Sequence, residues 1–250
     1  MATASSAAIN ELAPTGKLRV AVAVGPAASA LWTVRDPATG KPKGVPVELG
    51  TALAQRLGVS VELVEYDSSG KIIAATDQGA WDVTFVPVDD DRKAIVDFGA
   101  PYHLLQSTYL IAPGSAIKTL AEANRAGVRI AIVDGTATGR ASVSASPSAT
   151  TVKVKNPDEA VALMREGKLD AIALSRESVG GLVDALPGSR VLDEAFLNST
   201  TAVAVPKNRP AALAETAAFI EDAKASGLVR RALDAMGLKS SQVAPAGMKA

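Results

Sequence analysis

Short apolar runs alternate with stretches of helical spacing along most of the chain. Apolar runs of about four to eight residues favour buried strands, and apolar residues three or four positions apart favour helices. The predicted strands are Leu18–Val24, Val59–Val64, Trp81–Val88, Val128–Val133, Thr151–Val154, Leu169–Leu174 and Thr201–Val205. The predicted helices are Val47–Leu57, Gly70–Gln78, Thr119–Arg125, Asn156–Glu166, Val179–Ala185 and Pro210–Met236, the last broken at Ser226–Gly227. Strands separated by helices predict an α/β fold with mostly parallel sheet and right-handed crossovers.

Two segments of the chain share one outline. Asp77–Phe85 and Arg165–Ala173 each run from a helix end through a glycine and an aspartate into an apolar strand. A glycine that stops a helix is a common local solution, so the similarity alone is weak evidence for duplication. The wide spacing between the two segments nevertheless fits a chain of two similar lobes.

The composition excludes several classes of partner. The chain has 250 residues, 48% of them hydrophobic, which is enough for a sizeable core and for two lobes. Lys plus Arg equals Asp plus Glu at 26 each, so no net charge favours nucleic acid. No apolar run reaches the roughly 18 to 20 residues that a membrane-spanning helix needs. We therefore expect neither a nucleic-acid partner nor membrane insertion.

The chain has no cysteine and one histidine, His103. Disulfides, thiolate nucleophiles and sulfur-ligated metals are excluded, and a Ser-His-Asp triad would need His103 itself as its base. A lone histidine beside Tyr102 could titrate in a pocket, but it is more often structural. We expect no cofactor and no metal.

The segment WDVTFVPVDDDRKAIVDFGAPY, residues 81–102, carries the first candidate site. A buried strand opens into Asp89–Asp91 and then Arg92, so Arg92 is expected where a strand ends and a loop begins. Ligands of open α/β sheets collect beyond the carboxyl ends of the strands, where a guanidinium can hold a carboxylate. Alternatively, Arg92 only pairs with an acidic neighbour at the surface. Three consecutive aspartates cannot all face one ion, so they are predicted to be solvated turn residues.

The second candidate site is Val133–Ala141, VDGTATGRA. A strand runs into Gly135, and Thr136–Thr138 lead into a possible helix whose first N–H groups and two hydroxyls could bind an anion. The segment lacks the Gly-Lys-Ser of a Walker loop and the three-glycine spacing of a dinucleotide site. The alternative is an ordinary helix capped by Thr136 or Thr138.

Other polar and aromatic residues stand near predicted strand ends. Ser175, Arg176 and Glu177 directly follow the strand Leu169–Leu174. Trp32 lies in the irregular segment 25–35, where it could cover part of a ligand or serve as a hydrophobic plug. Trp81 enters a buried strand and is assigned to the core.

Eight short motifs, in this order and spacing, resemble the bacterial extracellular solute-binding proteins of the polar amino-acid type. They are Leu18-Arg19-Val20, Lys43-Gly44-Val45-Pro46-Val47-Glu48-Leu49, Gly79-Ala80-Trp81-Asp82, Asp91-Arg92, Val96-Asp97-Phe98, Pro101-Tyr102, Asp134-Gly135-Thr136 and Gly167-Lys168-Leu169-Asp170-Ala171. The resemblance covers roughly Lys17 to Leu238. No single motif is specific, but their order and spacing together are.

The resemblance implies a two-lobed, type 2 periplasmic-binding-protein-like fold. Each lobe would be a mostly parallel sheet flanked by helices, and two crossover hinge segments near Ser107–Ala112 and Ser199–Val203 would let the lobes close on a ligand. We expect a flexible segment 1–16, lobe 1 at 17–108 plus 202–240, lobe 2 at 109–201, and a flexible tail 241–250.

The resemblance also implies a set of ligand-binding residues. In the family the arginine matching Arg92 binds the ligand carboxylate from the first lobe, and the residues matching Thr136–Thr138 supply N–H and hydroxyl groups from the second. The expected ligand-binding residues are Arg92, Thr136, Ala137, Thr138, Trp32, Phe85, Val86, Pro87, Ser175 and Ser69.

Two positions depart from the family pattern. Pro87 stands where the family usually has a Ser or Thr whose N–H also binds the carboxylate, and proline has no N–H. Ser175 stands where members that bind α-amino acids usually place an Asp for the ammonium group. Removing the ionic partner of a buried ammonium costs several kcal/mol. A carboxylate without an amine, or an amine held differently, therefore becomes plausible.

The leading hypothesis is a non-catalytic substrate-binding protein that captures a small carboxylate-bearing solute for ABC-type uptake. Its expected partners are that solute and an ABC permease, and a monomer is expected. The alternatives are an enzyme like the cyclohexadienyl and arogenate dehydratases, with Glu177 near the required position, or a stand-alone solute-sensing domain. The start MATASSAAINELAPTG is no secretory leader as written. The expected location is the periplasm if a leader was removed, and otherwise the cytoplasm.

Overall fold

The computed structural model describes residues 4–24, 33–239 and 241–250. These residues divide into two compact units. Unit 1 comprises residues 4–24, 33–104, 199–239 and 241–250, and unit 2 comprises residues 105–198. The lobe ranges drawn from the sequence stay a prediction. Within the described residues, no helix has the length and apolar character that crossing a membrane requires.

Unit 1 is a mixed sheet with helices packed on it. Its strands are β1 (Lys17–Ala23), β2 (Val34–Arg35), β3 (Pro42–Lys43), β4 (Ser60–Tyr66), β5 (Val83–Pro87), the first part of β6 (Val96–Ile111) and most of β11 (Leu197–Pro206). Its helices are α1 (Ser6–Leu12), α2 (Val45–Leu57), α3 (Ser69–Ala74), α4 (Asp90–Lys93), α9 (Pro210–Ala225) and α10 (Leu228–Ala235), with a 3-10 turn at Thr76–Gln78. The strand order of the mixed sheet is β4-β1-β5-β11-β6, in which β1 is parallel to β4 and β5, and β11 is antiparallel to β5. Strands β2 and β3 form a separate antiparallel pair.

The core of unit 1 forms where the sequence predicts it. Trp81 is buried, packs with Ile72 and Val86, and donates its indole N–H to the Ile72 carbonyl at 3.1 Å. Helix α2 lies close against β1 because Gly50 has no side chain: a Cβ there would lie 2.8 Å from a Val20 methyl. A larger residue at position 50 would push the helix off the sheet.

Described segments near both ends of the chain pack on unit 1, and the flexible segments 1–16 and 241–250 stay a prediction. Leu12 of α1 is fully buried, and the Glu11 carboxylate accepts the Ala212 N–H in the first turn of α9 at 2.8 Å. Helix α9 has no side-chain cap of its own, so Glu11 supplies the missing acceptor. Near the other end, the Ala244 N–H donates to the Tyr102 carbonyl at 3.0 Å, which pairs the tail with β6.

Unit 2 repeats the α/β arrangement. Its strands are the rest of β6, β7 (Arg129–Val133), β8 (Thr150–Val154), β9 (Ala171–Ser175) and β10 (Arg190–Val191), and its helices are α5 (Leu120–Ala123), α6 (Ala137–Ala145), α7 (Pro157–Arg165) and α8 (Arg176–Leu182). The order is β6-β9-β7-β8, with β7 parallel to β8 and β9, and β9 antiparallel to β6. Helix α7 begins as predicted, since the Asn156 side chain accepts the Glu159 N–H at 2.9 Å and Pro157 fills the first position.

The same arginine–aspartate pair holds the entry of a central strand in each unit. In unit 1, Asp82 precedes β5 and accepts the main-chain N–H, Nε and Nη2 of Arg19 at 3.2, 2.8 and 2.7 Å. In unit 2, Asp170 precedes β9 and accepts the same three groups of Arg129 at 2.8, 2.9 and 3.0 Å. Each aspartate N–H donates back to its arginine carbonyl at 2.9 Å. The similar outlines of the two sequence segments therefore correspond to one local structure.

The two pairs differ in burial. The Asp82 side chain is fully buried and receives a second guanidinium, Arg209, at 3.1 Å. The Asp170 side chain remains 29% exposed, and its one cationic partner among the described residues is Arg129. Loss of a buried partner leaves uncompensated charge, whereas water screens an exposed pair.

We expect Asp82→Ala to destabilise unit 1 by about 3 kcal/mol, because two arginines lose a buried partner. Asp170→Ala, its matched control in unit 2, should cause a clearly smaller loss. The described residues of unit 2 contain no tryptophan, so in a Trp32→Phe background urea unfolding followed by Trp81 fluorescence reports unit 1, and far-UV circular dichroism reports both units. Equal losses for the two variants would contradict the assigned difference.

A second prediction concerns pH. The side-chain hydrogen bond from Arg129 lowers the pKa of Asp170. A carboxylate with a lowered folded-state pKa stabilises the fold above its unfolded pKa of about 3.9, and this contribution is lost as pH falls through the folded pKa. Asp170→Asn should therefore be less stable than the parent protein at neutral pH, and the gap should close below about pH 4. Urea midpoints over this range test it; a gap that stays constant would refute the linkage.

Candidate functional site

Arg92 lies in the short helix α4, which follows β5 directly. The sequence predicts a loop here, but the Asp89 side chain accepts the Arg92 N–H at 3.0 Å and starts a turn of helix. The first of the three aspartates is thus a helix cap. The Asp90 side chain is fully exposed, as predicted for a solvated residue.

The Arg92 side chain is buried, with 2% of the residue exposed. Its Nη1 donates to the Pro87 carbonyl at 3.1 Å, its Nη2 donates to the Ser69 hydroxyl at 2.9 Å, and its Nε lies 3.3 Å from Asp89. Three residues predicted from the sequence, Ser69, Pro87 and Arg92, therefore form one hydrogen-bonded group. The pairing with an acidic neighbour that the sequence also allowed does form, with Asp89, but the Arg92 guanidinium is buried in unit 1 and not at its surface.

Pro87 contributes through its carbonyl. The sequence raises the concern that proline supplies no N–H to a ligand. In the structure, the carbonyl of this residue instead fixes one arm of the guanidinium. The preceding residues, Phe85 and Val86, are buried: Phe85 makes an edge contact with Tyr102 at 5.9 Å, and Val86 belongs to the hydrophobic cluster around Trp81.

In unit 2, Thr136 caps helix α6. Its hydroxyl accepts the Gly139 N–H at 3.0 Å and donates to the Val133 carbonyl at 2.8 Å. The first N–H groups of a helix have no intrahelical acceptor, so those of Ala137 and Thr138 are the groups that could receive an anion. The N-capped helix and the anion-site interpretation are compatible, because the cap satisfies only one of these donors.

Buried hydroxyl groups lie beside the start of α6. The Thr138 and Ser107 hydroxyls are 3.1 Å apart, and Ser107 of β6 is the register partner of Ser175 on β9. Ser175 caps α8, accepting the Ser178 N–H at 3.3 Å, and its hydroxyl lies 2.8 Å from that of Ser178. Ser107 and Ser178 are absent from the sequence-based set. The register of β6 against β9 would have identified Ser107.

Tyr109 of β6 contacts the C-terminal part of helix α6 through hydrogen bonds. Its hydroxyl lies 3.1 Å from the Ser142 hydroxyl and 2.9 Å from that of Ser146, both on or next to α6. The ring stacks on Phe196 with centroids 4.6 Å apart. Burial raises the pKa of Tyr109, so its hydroxyl stays protonated as part of this network.

The other residues considered from the sequence lie in different parts of the chain. Trp32 lies outside the described residues. His103 is buried in β6 and pairs with Val243 of the tail. Glu177 lies in the first turn of α8. The described part of the chain contains no group of three His, Cys, Asp or Glu residues placed to hold a metal ion.

A profile of the bacterial extracellular solute-binding proteins, family 3, matches residues 21–236. The chain belongs to this family. The family assignment predicted from the eight sequence motifs is thus confirmed.

Two curated relatives support the assignment of this solute-binding protein. A glutamine-binding protein of Geobacillus stearothermophilus is 24% identical over 171 residues, which are 66% of this chain and 64% of that protein. The ABC transporter glutamine-binding protein GlnH of Bacillus subtilis (strain 168) is 21% identical over 201 residues, 79% of this chain and 73% of that protein. The match to the Geobacillus protein thus spans less than two thirds of its length.

Solved structures share the fold. A mutant of ArgBP from T. maritima has a TM-score of 0.80 at 21% identity, covering 92% of this chain and 99% of that one. An ancestral amino acid-binding protein, described as a precursor of cyclohexadienyl dehydratase, has a TM-score of 0.80 at 25% identity, covering 91% and 98%. An amino acid ABC transporter substrate-binding protein from Streptococcus pneumoniae, bound to L-arginine, gives 0.79 at 22%, covering 95% and 99%. The α/β fold with mostly parallel mixed sheet flanked by helices is that of periplasmic amino-acid-binding proteins, as predicted.

Proposed function

We propose that this protein captures a small carboxylate-bearing solute and delivers it to an ABC-type permease, without catalysing a reaction. The family supports this proposal, as do relatives described as binding proteins of ABC transporters. The observation that carries it is the buried guanidinium of Arg92 at the carboxyl end of β5. The permease, a location outside the cytoplasmic membrane and a monomeric state belong to the proposal.

The surroundings of Arg92 suit a carboxylate. Two of its acceptors, the Pro87 carbonyl and the Ser69 hydroxyl, are neutral, so they fix the guanidinium without cancelling its charge. Its carboxylate partner, Asp89, also accepts the Arg92 main-chain N–H. A fixed, desolvated guanidinium binds a carboxylate more strongly than an exposed one, since less side-chain freedom is lost on binding.

The burial of Arg92 also bears on how the ligand enters. Since only 2% of this residue is exposed, a solute reaches the guanidinium only after covering groups move. Binding is therefore expected to be coupled to a conformational change, which would let a permease distinguish empty from loaded protein. Such coupling is what the hinge motion implied by the family resemblance requires.

Ser175 narrows the class of solute. A hydroxyl can accept a hydrogen bond from an ammonium group but cannot neutralise it, and the Ser175 hydroxyl already caps α8. A buried ammonium without a counter-charge is costly. We therefore propose that organic acids without an α-amino group bind better than the corresponding amino acids.

The first test is Arg92→Ala. We expect it to weaken binding of any carboxylate ligand about a hundredfold or more, because a buried charged partner is removed. Lys93→Ala is the matched control: this neighbouring cation is half exposed and should leave affinity unchanged. Calorimetry against amino acids, 2-oxo acids and small organic acids gives the affinities, and circular dichroism checks that the variants fold.

Two outcomes would contradict this assignment. One is unchanged affinity in folded Arg92→Ala, which would remove Arg92 from the site. The other is the absence of binding to every small carboxylate in the panel, which would reject the function itself. Arg92→Lys keeps the positive charge but loses the planar guanidinium with its several N–H donors, so we expect an intermediate loss of affinity.

The second test is Ser175→Asp. Aspartate is also a good helix cap, so α8 should persist while a counter-charge is added. The affinity ratio of L-leucine to 4-methyl-2-oxopentanoate should rise about tenfold or more. Ser148→Asp, an exposed position in unit 2, adds the same charge elsewhere and should leave the ratio unchanged. A ratio unaffected by Ser175→Asp would remove Ser175 from the site.

One comparison favours the dehydratase alternative: a protein of similar structure is described as a precursor of cyclohexadienyl dehydratase. Glu177, in the first turn of α8, is the carboxylic acid that this alternative would use. Turnover of prephenate or arogenate that is lost in Glu177→Gln would support an enzyme and contradict the non-catalytic proposal.

A further inference from the structure

A cavity of about 520 Å³ opens at the other end of the unit 2 sheet from the residues discussed above. Arg129 begins β7 and Asp170 precedes β9, and both line this cavity. Thr136 and Ser175 stand instead at or beyond the far ends of these strands. Five strand residues span about 16 Å, so the cavity is separate from the region around Thr136 and Ser175.

Part of the cavity lining is apolar, and two prolines form part of its wall. Met164, Leu169 and Leu186 line it and belong to the buried core of unit 2. The two prolines are Pro113 and Pro187. The loops that carry these prolines approach closely, since a Cβ on Gly188 would lie 3.4 Å from the Pro113 side chain. Prolines beside an apolar lining favour an apolar ligand body at low cost in ordering.

The rim of the cavity is cationic. The Asp170 carboxylate forms an ion pair with Arg129, which donates hydrogen bonds to it from Nε and Nη2. Arg165, at the end of α7, donates Nη2 to the Ala185 carbonyl at 2.7 Å. Among the described residues, no carboxylate lies within ion-pairing distance of Arg165. The lining therefore carries one uncompensated positive charge, and its guanidinium is held in place by a main-chain acceptor.

We propose that this cavity is a second ligand site, which takes a free small carboxylate with a short branched apolar body. The carboxylate would meet Arg165, with Arg129 beside it, and the apolar body would cover Met164, Leu169 and Leu186. The volume lies within the range of about 300 to 1,000 Å³ typical of small-molecule sites. The single net positive charge matches one carboxylate. This site is independent of the one proposed around Arg92.

The proposal is tested by NMR titration of the whole, isotopically labelled chain with 4-methylpentanoate. We expect amide shift changes in residues 112–115, 165–170 and 185–187, and a weaker response to 4-methylpentanamide, which has the same body without charge. Arg165→Gln should weaken binding at these residues about tenfold, since a charge-assisted hydrogen bond is lost. Arg125→Gln, an exposed arginine of unit 2 outside the cavity, is the matched control. Ala185→Leu should also weaken binding, by narrowing the cavity.

Several results would overturn the proposal. They are no shift changes in these three segments at saturating acid, equal responses to the acid and the amide, or unchanged binding in Arg165→Gln. Binding of an acidic peptide but not of the free acid would also overturn it, in favour of a docking surface. Amide shift changes at Ser69 and Arg92 report the other site, so each proposal can fail without the other.

Discussion

The arginine–aspartate pairs at the strand entries determine where the candidate residues lie. Asp82 and Asp170 each exchange main-chain and side-chain hydrogen bonds with the neighbouring parallel strand, which fixes the register of β5 and β9. A shift of one residue would turn every side chain of such a strand to the opposite face. Five residues further on, these strands end at Pro87 and Ser175. The register set at one end of each strand thus determines which groups emerge at the other.

Features governed by local chemistry could be predicted from the sequence. Short apolar runs predicted β5 and β9 correctly, because all five residues of each strand are buried and such strands are apolar on both faces. The cap at Asn156 and the break at Gly227 follow from hydrogen bonding and backbone freedom within a few residues. The position of Arg92 just after a buried strand was also predictable, because it depends only on neighbouring sequence.

Features that depend on distant partners could not be predicted. The long strand β6 shows no alternation, since most of its residues are buried, and Pro101 within it argues against a strand. It pairs with β9, β10 and β11, and His103 within it bridges to Val243, all of them distant along the chain. The pairing of Ser107 with Ser175 depends on that strand and was missed with it. Likewise, Glu11 caps α9 from the opposite end of the chain, which no local pattern indicates.

The charges of the two candidate groups explain why an anionic solute is the better proposal. In unit 1, the Arg92 guanidinium contacts the Pro87 carbonyl, the Ser69 hydroxyl and the Asp89 carboxylate. In unit 2, Ser107, Thr138 and Ser175 supply hydroxyl groups, which add no charge. Under the proposed function, a carboxylate gains a counter-charge from Arg92, whereas a hydroxyl group supplies none to an ammonium group. Because desolvating an unpaired charge costs more than a hydroxyl contact returns, the proposed function favours a solute without an ammonium group.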